Sequence, residues 1–362
     1  MKYLAFIPSI VAAFGHENHL GTNKSEQNPT HQHVSISKEL LGQGDWKFNI
    51  ISNAIKLPDQ HHKPVQDYHG VAVDSLGRVY IGYYSRKSTA ETRAVARFIY
   101  QPDKTPVFKL DKFIGDKSWN DGRLHGLNIV KIDGKEKLLL VYNKKKVILA
   151  DLDGNLEKGW KMESNKFRKA SDGHLSPKGK QVAVFDGYSS NVLYGLDKKT
   201  GKLTGATSGG RGKGNGKTST AHGLGVDPDG NYVVADRGNK RLLWWTPDLK
   251  PLMIKDKDGK LKQKQLAMPG LEVCNVAFEG KYAVVPSLNA SIAIIGPDDS
   301  SESGYKIISK FKIPAEYVKL GYDGIHDANF TKDFKYIVVS TWQRKRNVAP
   351  CLFLLKREVR NE

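Results

Sequence analysis

The chain has 362 residues, 39% hydrophobic and 9% aromatic, which is enough for one large domain or two ordinary ones with a real core and excludes a stapled mini-protein. A mean hydropathy of −0.49 and the lack of any apolar stretch of about 18 residues exclude a spanning helix, while two cysteines, Cys274 and Cys351, exclude a disulfide framework or a cysteine-only zinc module. The formal charge of +19, from 57 Lys and Arg against 38 Asp and Glu, would draw in anions, but the lysines are scattered rather than gathered into one tract, so no nucleic-acid partner is expected.

At the N-terminus, Met1-Lys2-Tyr3 precedes an apolar run over residues 4–14, and Ala13-Phe14-Gly15 carries small residues at alternate positions before polar His16-Glu17-Asn18. That grammar predicts a signal peptide over residues 1–15 and hence a secreted or periplasmic protein. Residues 16–47 read as an N-terminal tail, polar and unpatterned at its start.

Residues 48–356 repeat a unit of roughly 50 residues, the size of a four-stranded propeller blade. The first copy is Tyr68-His69-Gly70-Val71-Ala72-Val73-Asp74 before Val79-Tyr80-Ile81, and the second is Leu124-His125-Gly126-Leu127-Asn128-Ile129 before Leu138-Leu139-Leu140-Val141-Tyr142. The third, Ser171-Asp172-Gly173-His174, precedes Val182-Ala183-Val184-Phe185. The clearest is the fourth, Ala221-His222-Gly223-Leu224-Gly225-Val226-Asp227-Pro228-Asp229-Gly230-Asn231, leading into Tyr232-Val233-Val234-Ala235. Alternating apolar residues make a strand, the Asp-Pro-Asp-Gly-Asn segment a tight turn, and the apolar run a second, buried strand. Copies five and six start at Val273-Cys274-Asn275 and Ile325-His326-Asp327, and Cys351-Leu352-Phe353-Leu354-Leu355 reads as a last strand.

These copies, with hardly any helical periodicity, predict an all-β six-bladed propeller over 48–356, in which N- and C-terminal strands can mix at the closure. The segment Gly209-Gly210-Arg211-Gly212-Lys213-Gly214-Asn215-Gly216-Lys217-Thr218 ends like a phosphate loop, but Arg211 stands where the first glycine is required and no helix pattern follows. It reads as a basic, glycine-rich blade connection.

One register position of each innermost strand points at the propeller axis. Aligning the copies puts His69, His125, Asp172, His222, Cys274 and His326 at that position. All are residue types that bind metal, and His125, His222 and His326 of alternate blades would stand with near threefold disposition, leaving an open coordination position on a divalent cation. Zinc is the first expectation, with copper and iron open.

Ala221-His222-Gly223-Leu224 followed by Val234-Ala235-Asp236-Arg237-Gly238-Asn239-Lys240-Arg241 resembles the NHL-type blade of the peptidyl-alpha-hydroxyglycine alpha-amidating lyases, over roughly residues 67–343. The resemblance implies a catalytic zinc on three channel histidines, falling on His125, His222 and His326. It also implies an active-site tyrosine at Tyr188, in Asp186-Gly187-Tyr188-Ser189-Ser190-Asn191, and an arginine at Arg237; Arg86 is the nearest candidate for a second. His69, His174 and Cys274 depart from that pattern and leave the substrate open.

By chemistry alone, the metal would lower the pKa of a bound water or substrate hydroxyl, Tyr188 or His69 could move a proton, and Arg237 could anchor a carboxylate or an oxyanion. The reading is a secreted, monomeric, metal-dependent lyase, or a hydrolase, acting on a small anionic or polar substrate. The alternative is a non-catalytic NHL-like propeller whose basic face binds a protein or an acidic polymer.

Overall fold

A strand with apolar residues on both faces must be covered twice, and a ring of radially stacked sheets does this without leaving long open edges. The structure, a computed structural model, describes residues 34–359 except 56, 58–64, 86–93, 103, 105, 116, 121, 161, 163–165 and 343–347. The expected signal peptide, the tail to residue 33 and Arg86 lie outside the described residues.

The described residues form a six-bladed β-propeller. The first blade is Val65–Val73, Val79–Ser85, Val95–Tyr100 and Phe108–Ile114. The second is Leu124–Ile132, Lys135–Tyr142 and Val147–Asp151. The third comprises Asp172–His174, Gln181–Phe185, Val192–Asp197 and Leu203–Gly209. In the fourth, Ala221–Val226, Tyr232–Asp236 and Arg241–Trp245 are completed by Gln265–Ala267, after an inserted hairpin of Met253–Lys255 and Leu261–Gln263. The fifth runs through Ala277–Glu279, Tyr282–Ser287, Ser291–Pro297 and Tyr305–Lys312. No helix among the described residues is long and apolar enough to cross a membrane.

The sixth blade closes the ring with both ends of the chain. Its strands Ile325–Phe330, Tyr336–Thr341 and Leu352–Glu358 accept Trp46–Ser52 as the fourth, with Leu354 opposite Ile51 and Leu355 opposite Ile50. Two short strands, Ser35–Ile36 and Leu41–Gln43, extend this sheet into the stretch expected as tail, and Gln43 bonds to Ser309 and Lys310 of the fifth blade.

Apolar side chains gather into six buried clusters, each lying between two neighbouring blades. Period-two alternation explains the sharing: Val233 and Ala235 face the fifth blade, and Val234 between them faces the third. In the closing blade Val338 and Leu354 pack toward the first blade, whereas Val339, Phe353 and Leu355 pack toward the fifth.

The last strand therefore serves two interblade cores and one sheet. Removing residues 349–362 is expected to abolish the cooperative thermal transition, and Leu354→Ala to cost about 2–5 kcal/mol in chemical denaturation. A truncated chain that melts like the parent would contradict this closure.

Candidate metal centre

Each histidine of the channel sits where its strand carries one extra residue. The ladder between first and second strands shifts register between Tyr68 and Val71, Leu124 and Gly126, Ala221 and Leu224, and Ile325 and Asp327. Such a bulge re-aims a side chain that the pleat would otherwise direct into a neighbouring blade. His69, His125, His222 and His326 consequently meet at the axis, with ring centroids 3.8 to 5.0 Å apart for His69 with His326 or His125, for His125 with His222 or His326, and for His222 with His326. The ligand nitrogens of His69, His125 and His326 all lie within 4.8 Å of one another.

The third blade corrects the sequence alignment. The Ser171 N–H donates to Phe185 just as the Cys274 N–H donates to Pro286, so Ser171, not Asp172, shares the histidine position. Asp172 stands one residue on, with Asn275 and Asp327, and each of the three bonds the backbone N–H that follows it. Asp172 then accepts the Leu224 N–H of the fourth blade, and Asp327 the Val71 N–H of the first, so both carboxylates clasp neighbouring blades. The two positions without a histidine supply carbonyls: His125 Nδ1 donates to Ser171 at 2.6 Å and His222 Nδ1 to Cys274 at 2.7 Å. His174 stays off the cluster, its Nδ1 accepting the Leu175 N–H, and both cysteines are free.

Burial comes first among the causes that hold all four imidazoles neutral; it takes His125 down to about 3 and His69, His222 and His326 well below their ordinary value, with neighbouring cations helping. A neutral imidazole bonded to a carbonyl through Nδ1 keeps Nε2 as a lone-pair donor, the tautomer found at metal sites. His69 Nδ1 and His222 Nε2 are buried with no hydrogen-bond partner, a deficit of about 1–3 kcal/mol per group. A divalent cation fits this donor set.

Above the histidines lies a cavity of about 380 Å³ lined by His69, Arg123, His125, Asn143, Tyr188, Arg237, Leu288, His326 and Trp342. Asn143, Tyr188, Arg237, Leu288 and Trp342 each follow the end of the second strand of their blade. Asp186 caps that loop in the third blade, accepting the N–H groups of Arg168 and Lys169, while the Tyr188 N–H donates to the Lys169 carbonyl. The Tyr188 hydroxyl lies 3.0 Å from His125 Nε2, and since Nδ1 already carries the proton the hydroxyl is the donor. Burial pushes that hydroxyl up to about 12, against the pull of Arg237, whose guanidinium lies 5.5 Å over the ring.

Asp236 pairs with Arg241 at 2.8 Å, so the intrablade ion pair leaves Arg237 to the cavity. Arg123, which the sequence reading missed, enters beside it, paired with Asp67 at 2.5 Å and lying 5.7 Å over Trp342. Its signal was adjacency, two residues ahead of His125; Asn143, Leu288 and Trp342 share the register of Arg237. A second hollow of about 550 Å³ adjoins through Arg123, Asn143 and Tyr188 and adds Tyr84, Lys144 and Lys169.

The NHL repeat family matches residues 218–245, which span the first three strands of the fourth blade. No curated protein matches the sequence. Among solved structures, a streptogramin B lyase aligns at 11% identity with a TM-score of 0.49, covering 87% of this chain and 100% of its own. A protein provisionally described as a gluconolactonase aligns at 11% identity with a TM-score of 0.50, covering 82% and 90% respectively. Likeness at that identity concerns the fold alone.

The histidine layer depends on glycines beside the acids. A Cβ on Gly126 would stand 2.2 Å from Asp172 Oδ1, whereas one on Gly214 would meet nothing within 4 Å. Gly126→Ala is expected to cost about 1–3 kcal/mol and Gly214→Ala less than about 0.5 kcal/mol, as read by urea denaturation; equal effects would refute the clasp.

Proposed function

We propose that the chain is a metal-dependent lyase acting on a small anionic substrate at the mouth of the channel. The observation that carries this reading is a cluster of neutral, buried imidazoles beneath a cavity lined by two guanidiniums and a tyrosine hydroxyl. A non-catalytic binding face has no use for imidazoles gathered on the axis, least of all with orphaned ring nitrogens. A divalent cation held there would supply Lewis acidity to a substrate oxygen.

The protein's own groups divide the remaining work. Arg237 and Arg123 bind and orient a carboxylate or a developing oxyanion, in keeping with the planar, permanently charged fork of each side chain. Tyr188 holds the mobile proton at its hydroxyl, in reach of anything that lies over His125. In the elimination the Tyr188 hydroxyl gives its proton to the leaving group as that group's bond to the substrate breaks, and the resulting phenolate takes the proton the substrate loses as its new double bond forms, so Tyr188 ends as it began; Leu288 and Trp342 narrow the volume open to water around it. Elimination is preferred to hydrolysis on the amidating-lyase resemblance, since a cation held on the histidines would itself activate water. Lys144 and Lys169 in the adjoining hollow extend the same preference for anions.

Purified protein should be assayed on N-acyl hydroxyglycines, lactones and uronic acid derivatives, the first because of the amidating-lyase resemblance. Activity should disappear on chelation and return with added metal. Tyr188→Phe is expected to lower kcat about 100-fold or more, and Arg237→Ala to lower kcat/KM by a similar factor, with melting temperature unchanged. Activity indifferent to chelation would defeat the metal reading in favour of a binding propeller. Turnover with net addition of water would make the enzyme a hydrolase.

A further inference from the structure

Two unpartnered nitrogens in the channel belong to different histidines, His69 through Nδ1 and His222 through Nε2. Both residues are only 2% exposed, so bulk water does not complete their hydrogen bonding. Neither three-ligand set that keeps both His125 and His326, whose ligand nitrogens lie within 4.8 Å of each other and of His69's, explains both orphans. A set of His125, His222 and His326 strands His69 Nδ1, and a set of His69, His125 and His326 strands His222 Nε2. Buried polar atoms of native proteins find partners, and an orphan aimed into a cluster of lone-pair donors points to a missing cation.

We propose that the channel is a four-histidine centre in which His69, His125, His222 and His326 together hold one divalent transition-metal ion. This rests on the metal reading above and adds a ligand and a class of metal to it. His69 thereby becomes a ligand rather than a proton carrier; His125 would ligate through Nε2, so the Tyr188 hydroxyl that bonds this nitrogen in the metal-free chain would turn to the substrate on metal binding, and proton transfer falls to Tyr188 alone.

Blade topology decides which metal suits the set. Six blades succeed one another at about 60° around the axis, so the first and fourth face each other. His69 and His222, one on each, approach from opposite sides, while His125 and His326 of the second and sixth blades flank His69. A tetrahedron separates every pair of ligands by about 109°, and two ligands that face each other across the axis do not belong to one. The third and fifth blades add no side-chain ligand: their carbonyls are occupied by His125 and His222, and the Cys274 thiol is directed at the Glu272 carbonyl. The donor set is thus all imidazole nitrogen with room for further ligands, suiting a five- or six-coordinate ion such as Fe(II), Ni(II) or Cu(II) better than four-coordinate zinc.

The test uses the full chain, stripped by chelator and loaded with Co(II) alone. Visible absorption should show the weak bands of five- or six-coordinate cobalt; the intense bands of a tetrahedral site overturn the proposal without any variant being made. Co(II) titrations of His69→Ala, His125→Ala, His222→Ala and His326→Ala, each checked for native melting in the metal-free state, should each lose more than about 100-fold in affinity, beyond the range expected from losing an orienting partner. If any one of the four variants binds within about tenfold of the parent, the centre has three ligands, and the four-histidine proposal fails while the metal reading stands. If the parent takes up no Co(II), Fe(II), Ni(II), Cu(II) or Zn(II), both fall together.

Discussion

The hydrogen bonds that cross from blade to blade at the axis are the constraint on which the rest of the structure depends. Each innermost strand has a ladder partner on one side only, and buried backbone groups on its other side must be satisfied by something. Here the neighbour does so. His125 and His222 donate to the carbonyls of Ser171 and Cys274, Asp172 accepts from Leu224, and Asp327 accepts from Val71. Because the apolar clusters between blades are nondirectional, these polar clasps set the relative height of the inner strands. The same bonds fix the imidazole tautomers, so the scaffold and the site are one network.

That network also separates the charges. Along the axis burial disfavours every ionised form: the histidines stay neutral, and Asp172 and Asp327 are pushed up, Asp327 to about 7. The permanent cations, Arg123 and Arg237, stand one layer out, where the channel opens. A neutral layer of nitrogen donors below a cationic mouth favours a cation in the first and an anionic group at the second, which is the order in which Lewis acid and substrate must stack. Tyr188 stands between the layers, touching His125 on one side and lying under Arg237 on the other.

Several features were legible in the sequence because they depend on local order. Alternation of apolar residues, the Asp-Gly turns and the roughly 50-residue period determine strands, hairpins and blade number, and they do so blade by blade. The histidines of four blades were readable for the same reason, since each precedes a glycine or an aspartate at the head of its strand. Register to a single residue was not. Asp172 looked like the axis-facing residue of its blade because local order has no means of placing the bulge; only the hydrogen bond from the Ser171 N–H to the Phe185 carbonyl locates it.

Contacts between distant segments were decided by the tertiary structure alone. Arg123 reaches the cavity because Asp67 of the preceding blade holds it, and Trp342 lies beneath it from the other side of the chain closure. Trp46–Ser52 becomes the outer strand of the sixth blade because Leu352–Glu358 lacks a partner there, a match made across nearly the whole chain. The sequence by itself determined that six sheets form and which residue types stand at their inner ends. Which atoms meet at the axis, and that His69 and His222 both point into one cluster, followed only from closing the ring, because closure alone fixes the angle between one blade and the next.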